Sequence, residues 1–108
     1  MKTTIVRYKV KPERADENRA LIRDVFAELE RDDPDDVRYV SFNLDDGVTF
    51  VHIAVSETAD GSNPLPKMGA FRKFVADIGD RCDEAPLAAE GEIIGSYRLF
   101  WQKTANAG

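Results

Sequence analysis

Between Val37 and Ser56, hydrophobic and polar side chains alternate on both sides of Asp46-Gly47. A period of two predicts strands. An Asp-Gly pair between two such runs predicts a hairpin, because both loop residues tolerate positive φ. A two-residue loop sets Asp45 against Val48, Asn43 against Phe50, Ser41 against His52 and Tyr39 against Ala54. Successive side chains leave a strand on opposite sides. One face then carries Val40, Phe42, Leu44, Thr49, Val51, Ile53 and Val55. The other carries Tyr39, Ser41, Asn43, Phe50, His52 and Ala54. The first reads as core, and the second, mixed in polarity, as a surface that needs a different cover.

Thr3–Val10 alternates in the same way, with Val6, Tyr8 and Val10 on one side and Ile5, Arg7 and Lys9 on the other. Pro12 stops this strand and suits a helix entry, and Glu13, Asp16 and Glu17 put negative charge where the helix dipole favours it. Leu21, Ile22, Val25, Phe26 and Leu29 then recur at three and four residues, predicting an amphipathic helix over about Glu13–Arg31. Asp32-Asp33-Pro34-Asp35-Asp36 ends it as an exposed acidic turn, since the run lacks the glycine and alternating ligands of a calcium loop. Glu57–Pro66 is a loop in which Asn63 caps a second helix with Pro64 in its first turn. Leu65, Met68, Phe71, Phe74, Val75 and Ile78 give that helix its stripe over roughly Pro64–Gly79. Gly79 to Pro86 reads as a polar connection, Glu90–Gln102 as the last strand, and Lys103–Gly108 as a fraying tail. Tyr97 and Arg98 would point to opposite faces of that strand, with Gly95 marking a bulge or a close backbone approach.

The order β-α-β-β-α-β is that of an α+β, ferredoxin-like fold: a four-stranded antiparallel sheet with both helices on one face. The expectation is that the helices cover the Val40–Val55 face together with Val6, Tyr8 and Val10. Ile5, Arg7, Tyr39, Ser41, Phe50 and His52 are then left facing away. A second copy laid over that face would make a homodimer, a dimeric α+β barrel enclosing a semi-polar chamber.

Composition narrows the classes. The chain has 108 residues, 43% hydrophobic and 32% charged, the balance of one globular domain spanning 1–108, with its ordered core at about 3–102. A net charge of -5 argues against a nucleic-acid or anionic-membrane surface. The lone Cys82 excludes an internal disulfide and fits a reducing cytoplasm, as does the lack of a long apolar segment or signal peptide.

The strand FVHIAVSE, the stretch NPLPKMGAFRKFVADIGDRC and the segment IIGSYRLF, set in this element order, resemble the antibiotic-biosynthesis monooxygenase-like proteins of the dimeric α+β barrel superfamily. The resemblance runs from about Thr3 to Trp101. It implies a homodimer with a cleft between each sheet and its helices, and relatives that include cofactor-independent oxygenases of phenols and quinols and haem-degrading enzymes. The haem-degrading branch uses a first-strand Asn and a helix His. Neither stands at Thr3–Val10 or in the second helix, which places that reading last.

Candidate chemistry centres on His52, the only histidine. A neutral imidazole in an apolar cavity can take a proton from a phenol or quinol. Arg7 could then hold the resulting anion and Tyr39 donate a hydrogen bond to it, with Ser41, Asn43 and Phe50 lining the pocket. The carbanion so formed would react with O2 directly, so neither metal nor cofactor is expected. The other reading of His52 is structural, a hydrogen bond to Ser41 or to a partner chain. Two functions stay open, a cofactor-independent oxygenase of a small aromatic phenol or quinol and a non-catalytic ligand-binding or regulatory homodimer. A hydrolase triad is not supported, since no acid orients His52 and Ser41 sits in no nucleophile elbow. A zinc site is not supported either, because His52 and Cys82 lack ligand spacing.

Overall fold

The computed structural model describes residues 1–99. Strand β1 (Lys2–Val10) leads through a 3-10 turn at Pro12–Arg14 into helix α1 (Ala15–Asp32). Strands β2 (Val37–Asn43) and β3 (Thr49–Ser56) form the hairpin. A 3-10 turn at Leu65–Lys67 precedes helices α2 (Gly69–Ala76) and α3 (Ile78–Arg81), and β4 (Cys82–Gly91) closes the sheet. The sheet is antiparallel in the order β2-β3-β1-β4, and the expected α+β, ferredoxin-like arrangement is present.

The hairpin register is the one expected, with Asn43 opposite Phe50, Ser41 opposite His52 and Tyr39 opposite Ala54. Its loop is longer than two residues. Leu44 donates its N–H to the Thr49 carbonyl, Gly47 donates to the Leu44 carbonyl, and in the loop only Gly47 has positive φ, at 80°. The Asp46 carboxylate takes the place of a tight turn by accepting hydrogen bonds from the backbone N–H groups of Val48 and Thr49 and from the Thr49 hydroxyl. These bonds hold its pKa down to about 2. Asp33, in the left-handed region, ends α1 and donates its N–H to the Leu29 carbonyl, the αL cap that the acidic turn supplies. Asn63 accepts the Leu65 N–H, as a capping side chain should, and Glu28 of α1 accepts the Ala70 N–H at the start of α2.

Further expectations are corrected. The second helix is interrupted, because Met68 is extended and Asp77 leaves helical geometry between α2 and α3. The segment read as a polar connection holds α3 and the start of the last strand. That strand is Cys82–Gly91 rather than Glu90–Gln102. It is an edge strand, which tolerates Pro86, and its pairing with β1 slips between Arg7 and Lys9, opposite Leu87 and Glu84. Tyr97 and Arg98 belong to no strand. Both are exposed, with the Arg98 guanidinium 5.2 Å from the Tyr97 ring centre. The close backbone approach lies at Gly91, where an added Cβ would meet Ile5 at 3.1 Å, and not at Gly95. Phe100, Trp101, Gln102 and the tail Lys103–Gly108 lie outside the described residues.

The last correction reverses the hairpin. Pairing of β1 with β3 puts Val6 opposite His52 and Tyr8 opposite Phe50. The side carrying Tyr39, Phe50, His52 and Ala54 therefore lies under the helices with Val6, Tyr8 and Val10. Tyr8, Val10, Ile22, Val25, Phe50 and Phe74 form the core there. Ile5, Arg7, Val40, Phe42 and Ile53 turn to the open side, where Phe42 is 48% exposed. The two side-chain sets were grouped correctly and placed on the wrong sides. Aromatic rings explain the outcome: Phe50, Tyr8, His52 and Tyr39 stack in that order, with Phe26 against Tyr39 and Phe74 against His52, at centre distances of 5.2 to 5.7 Å. Such rings bury more surface than the Val and Ile of the opposite face.

Candidate functional site

Beneath the helices lies a cavity of about 200 Å³. β1 contributes Thr4, Val6 and Tyr8; the hairpin contributes Tyr39, His52 and Ala54. Leu65, Phe71, Phe74, Val75 and Ile78 roof it, with Asn63 and Pro86 at its margin. Its walls are mainly apolar and include the rings of Tyr8, Tyr39, Phe71 and Phe74; apart from Thr4 and Asn63, polarity gathers at one corner.

That corner is His52, buried at 4% exposure. Its Nε2 lies 2.8 Å from the Tyr8 hydroxyl. Its Nδ1 lies 2.6 Å from the Ser41 hydroxyl and 2.8 Å from that of Tyr39. The chain of contacts continues outward. The Asn18 amide donates to the Tyr8 oxygen at 2.9 Å, and Arg81 Nε donates to Asn18 Oδ1 at 3.1 Å. Burial pushes the His52 pKa down to about 4, so the ring is neutral at pH 7. Burial also raises Tyr39 to about 12, partly offset by its hydrogen bond with Ser41. Tyr8 rises further, again through burial, against the pull of Asn18. The site thus stores no net charge on His52, Tyr8 or Tyr39.

Of the residues singled out in the sequence, His52, Tyr39 and Ser41 come together, and His52 and Tyr39 line the cavity. Phe50 is buried against Tyr8 and does not line it. Asn43 sits at the hairpin's far end, bonded to Arg19 and to the Thr49 carbonyl. Arg7 is on the opposite side of the sheet, between Val51 and Leu87, so within one chain it cannot hold an anion beside His52. The open side of the sheet, where the chamber was expected, holds neither His52 nor Ser41. Tyr8, Asn18 and Arg81 were missed. Asn18 was detectable as a polar residue on the same helix stripe as Ile22 and Val25. Arg81 was hidden in a stretch read as a connection.

A larger hollow of about 460 Å³ lies on the open side, where residues 91–95 and Leu99 stand over Ile5, Val40, Phe42 and Ile53. Its cation, Arg38, is already bonded to Glu57 at 2.7 Å. Among the described residues no three His, Cys, Asp or Glu side chains gather as a metal site, and no helix is long and apolar enough to cross a membrane. Cys82 is half-buried, and burial raises its pKa, so it is a poor nucleophile.

No protein-family model matches the sequence, and no curated protein matches it significantly. Solved structures do. An antibiotic biosynthesis monooxygenase is 20% identical, covers 88% of this chain and 100% of its own, and has a TM-score of 0.71. A protein from Mycobacterium tuberculosis is 14% identical, with 88% and 96% covered and a TM-score of 0.71. A variant of SnoaB, a cofactor-independent oxygenase from Streptomyces nogalater, is 14% identical, with 90% and 96% covered and a TM-score of 0.65. Identities this low speak for the fold alone. By fold, the chain is similar to the antibiotic biosynthesis monooxygenases, and the resemblance read in its sequence holds at that level.

Proposed function

We propose that the protein binds a small, flat aromatic molecule in the cavity beneath its helices, with the ligand's polar group at His52 and Tyr39. The observation that carries this is the aromatic cavity with a single polar corner. Its 200 Å³ falls below the ~300–1,000 Å³ of drug-sized pockets, so the ligand has one or two fused rings rather than four. Titration calorimetry with 1-naphthol and 1,4-naphthoquinone tests it. Ala54, buried at the cavity wall, provides the control, because Ala54→Leu fills the space without adding polarity. Affinity should drop at least about tenfold in that variant. No measurable binding of either probe, or binding indifferent to Ala54→Leu, would contradict the reading.

Cofactor-independent oxygenation is the second reading, supported by the neutral imidazole at an apolar cavity and by the fold shared with SnoaB. Here His52 takes one proton from a ring methylene activated by a carbonyl, and Tyr39 donates a hydrogen bond to the enolate oxygen. The carbanion passes one electron to O2, the two radicals join, and the peroxide regains its proton from His52. Loss of water then leaves a new carbonyl. One O2 is consumed per methylene; one oxygen atom is kept, and the other leaves as water with the two hydrogens. Oxygen uptake with 2-tetralone, a two-ring ketone with an activated methylene, in the presence of chelator tests it. Full turnover by His52→Phe would remove His52 as the base.

The open side of the sheet, carrying Ile5, Val40, Phe42 and Leu87, is proposed to pair with a second copy of the chain. The free thiol of Cys82 supports a reducing compartment, the cytoplasm.

A further inference from the structure

We propose that Arg81 and Asn18 are positioning residues that set the direction of a buried hydrogen-bond chain and thereby hold His52 as its Nδ1–H tautomer. Arg81 is completely buried, on α3, where no substrate reaches it. Its guanidinium lies 5.5 Å from the Phe74 ring centre, and its Nη2 donates to the Phe74 carbonyl at 2.5 Å. A guanidinium only donates, so the group facing Arg81 Nε must be the carbonyl oxygen of Asn18. The Asn18 amide nitrogen therefore faces Tyr8 and donates to its oxygen. The Tyr8 hydrogen is then left with His52 Nε2 as its acceptor. A neutral imidazole carries one N–H, so the hydrogen sits on Nδ1, shared between the Ser41 and Tyr39 oxygens. The Arg81 and Asn18 links follow from the donor inventory, and the Tyr8 link from His52 Nε2 being the acceptor within reach of its hydrogen. Reversing any one link reverses all those beyond it.

The consequence bears on the proposed function, although the tautomer is a property of the free protein and does not depend on any ligand. The Nε2 lone pair is occupied by Tyr8, so His52 accepts a proton only when the Tyr8 hydroxyl turns away. Ser41 and Tyr39 receive the Nδ1 hydrogen and keep their own. Tyr39, at the cavity wall, thus remains a hydrogen-bond donor toward a ligand oxygen.

The single histidine makes the test direct, because nitrogen-resolved NMR of the isotope-labelled full chain shows one imidazole. The expected pattern at pH 7 is a protonated, pyrrole-type Nδ1 and an unprotonated, pyridine-type Nε2. Asn18→Asp keeps the shape and the Arg81 contact but turns the donor facing Tyr8 into an acceptor. Tyr8 should then donate to Asp, and the His52 hydrogen should move to Nε2. A wild type that already shows Nε2–H, or a mixture of tautomers, overturns the proposal even if the variant does not fold. So does a folded Asn18→Asp variant with its imidazole signals unmoved. Absence of ligand binding would leave these signals unchanged, so failure of the proposed function and failure of this inference are separately visible.

Discussion

At the scale of single residues, His52 links burial to stability. Its folded pKa of about 4 lies below the ordinary 6.5. Between these values the unfolded chain binds more protons, so stability rises with pH across that window and is lost as pH falls through it. The full loss is about 3 kcal/mol. Asp46 and Asp77, whose pKa values are depressed, act lower, since their contribution goes only below the ordinary carboxylate value of 3.8. Urea unfolding at pH 7 and pH 4.5 should therefore show a fall in the wild type that His52→Phe lacks. The slope is compared rather than absolute stability, because the variant also strands Tyr8 and Ser41. Asn18→Ala should cost about 1–3 kcal/mol in the same experiment, since it leaves Arg81 Nε unpaired. Among the described residues, Arg81 Nη1 already lacks a hydrogen-bond partner.

Among the elements, the hairpin and the second helix behave differently. Gly47 has room for a side chain: an added Cβ comes no nearer than 3.9 Å to Arg19. Gly47→Ala should thus carry only the cost of left-handed backbone, about 1–2 kcal/mol by chemical denaturation. Phe74 of α2 closes both the core and the cavity at 3% exposure. Phe74→Ala should destabilise by about 3–5 kcal/mol, read as a lowered urea midpoint. The stripe from Leu65 to Ile78 was legible because helical spacing survives the break at Asp77. The break itself was not, since Met68 and Asp77 carry no strong stop signal. β4 was placed too far along the chain because its Asp, Glu and Pro86 argue against a strand, while the apolar run after Gly91 argues for one. An edge position relaxes both rules.

For the whole molecule, the open side is the surface on which the proposed pairing rests. Phe42 stands 48% exposed among Ile5, Val40 and Ile53, an apolar surface that water does not favour. If a second copy covers it, sedimentation should find a dimer for the wild type and a monomer for Phe42→Glu, with the fold retained. A wild-type monomer at micromolar concentration would dismiss the pairing.

What the chain's order of residues determined by itself was local. It set the element order, the hairpin register through Asp46-Gly47, the α1 stripe, and the separation of Tyr39, Ser41 and His52 from Val40, Phe42 and Ile53. Each of these follows from backbone periodicity and short-range hydrogen bonds. Which of the two sets meets the helices was decided only by the pairing of β1 with β3, a contact across more than forty residues. A one-step slip in that pairing would exchange the faces. The same pairing brought Tyr8 to His52, and the return of α3 brought Arg81 to Asn18. The polar corner beneath the helices therefore exists because tertiary packing joined groups from five separate elements, each of which alone reads as ordinary core or loop.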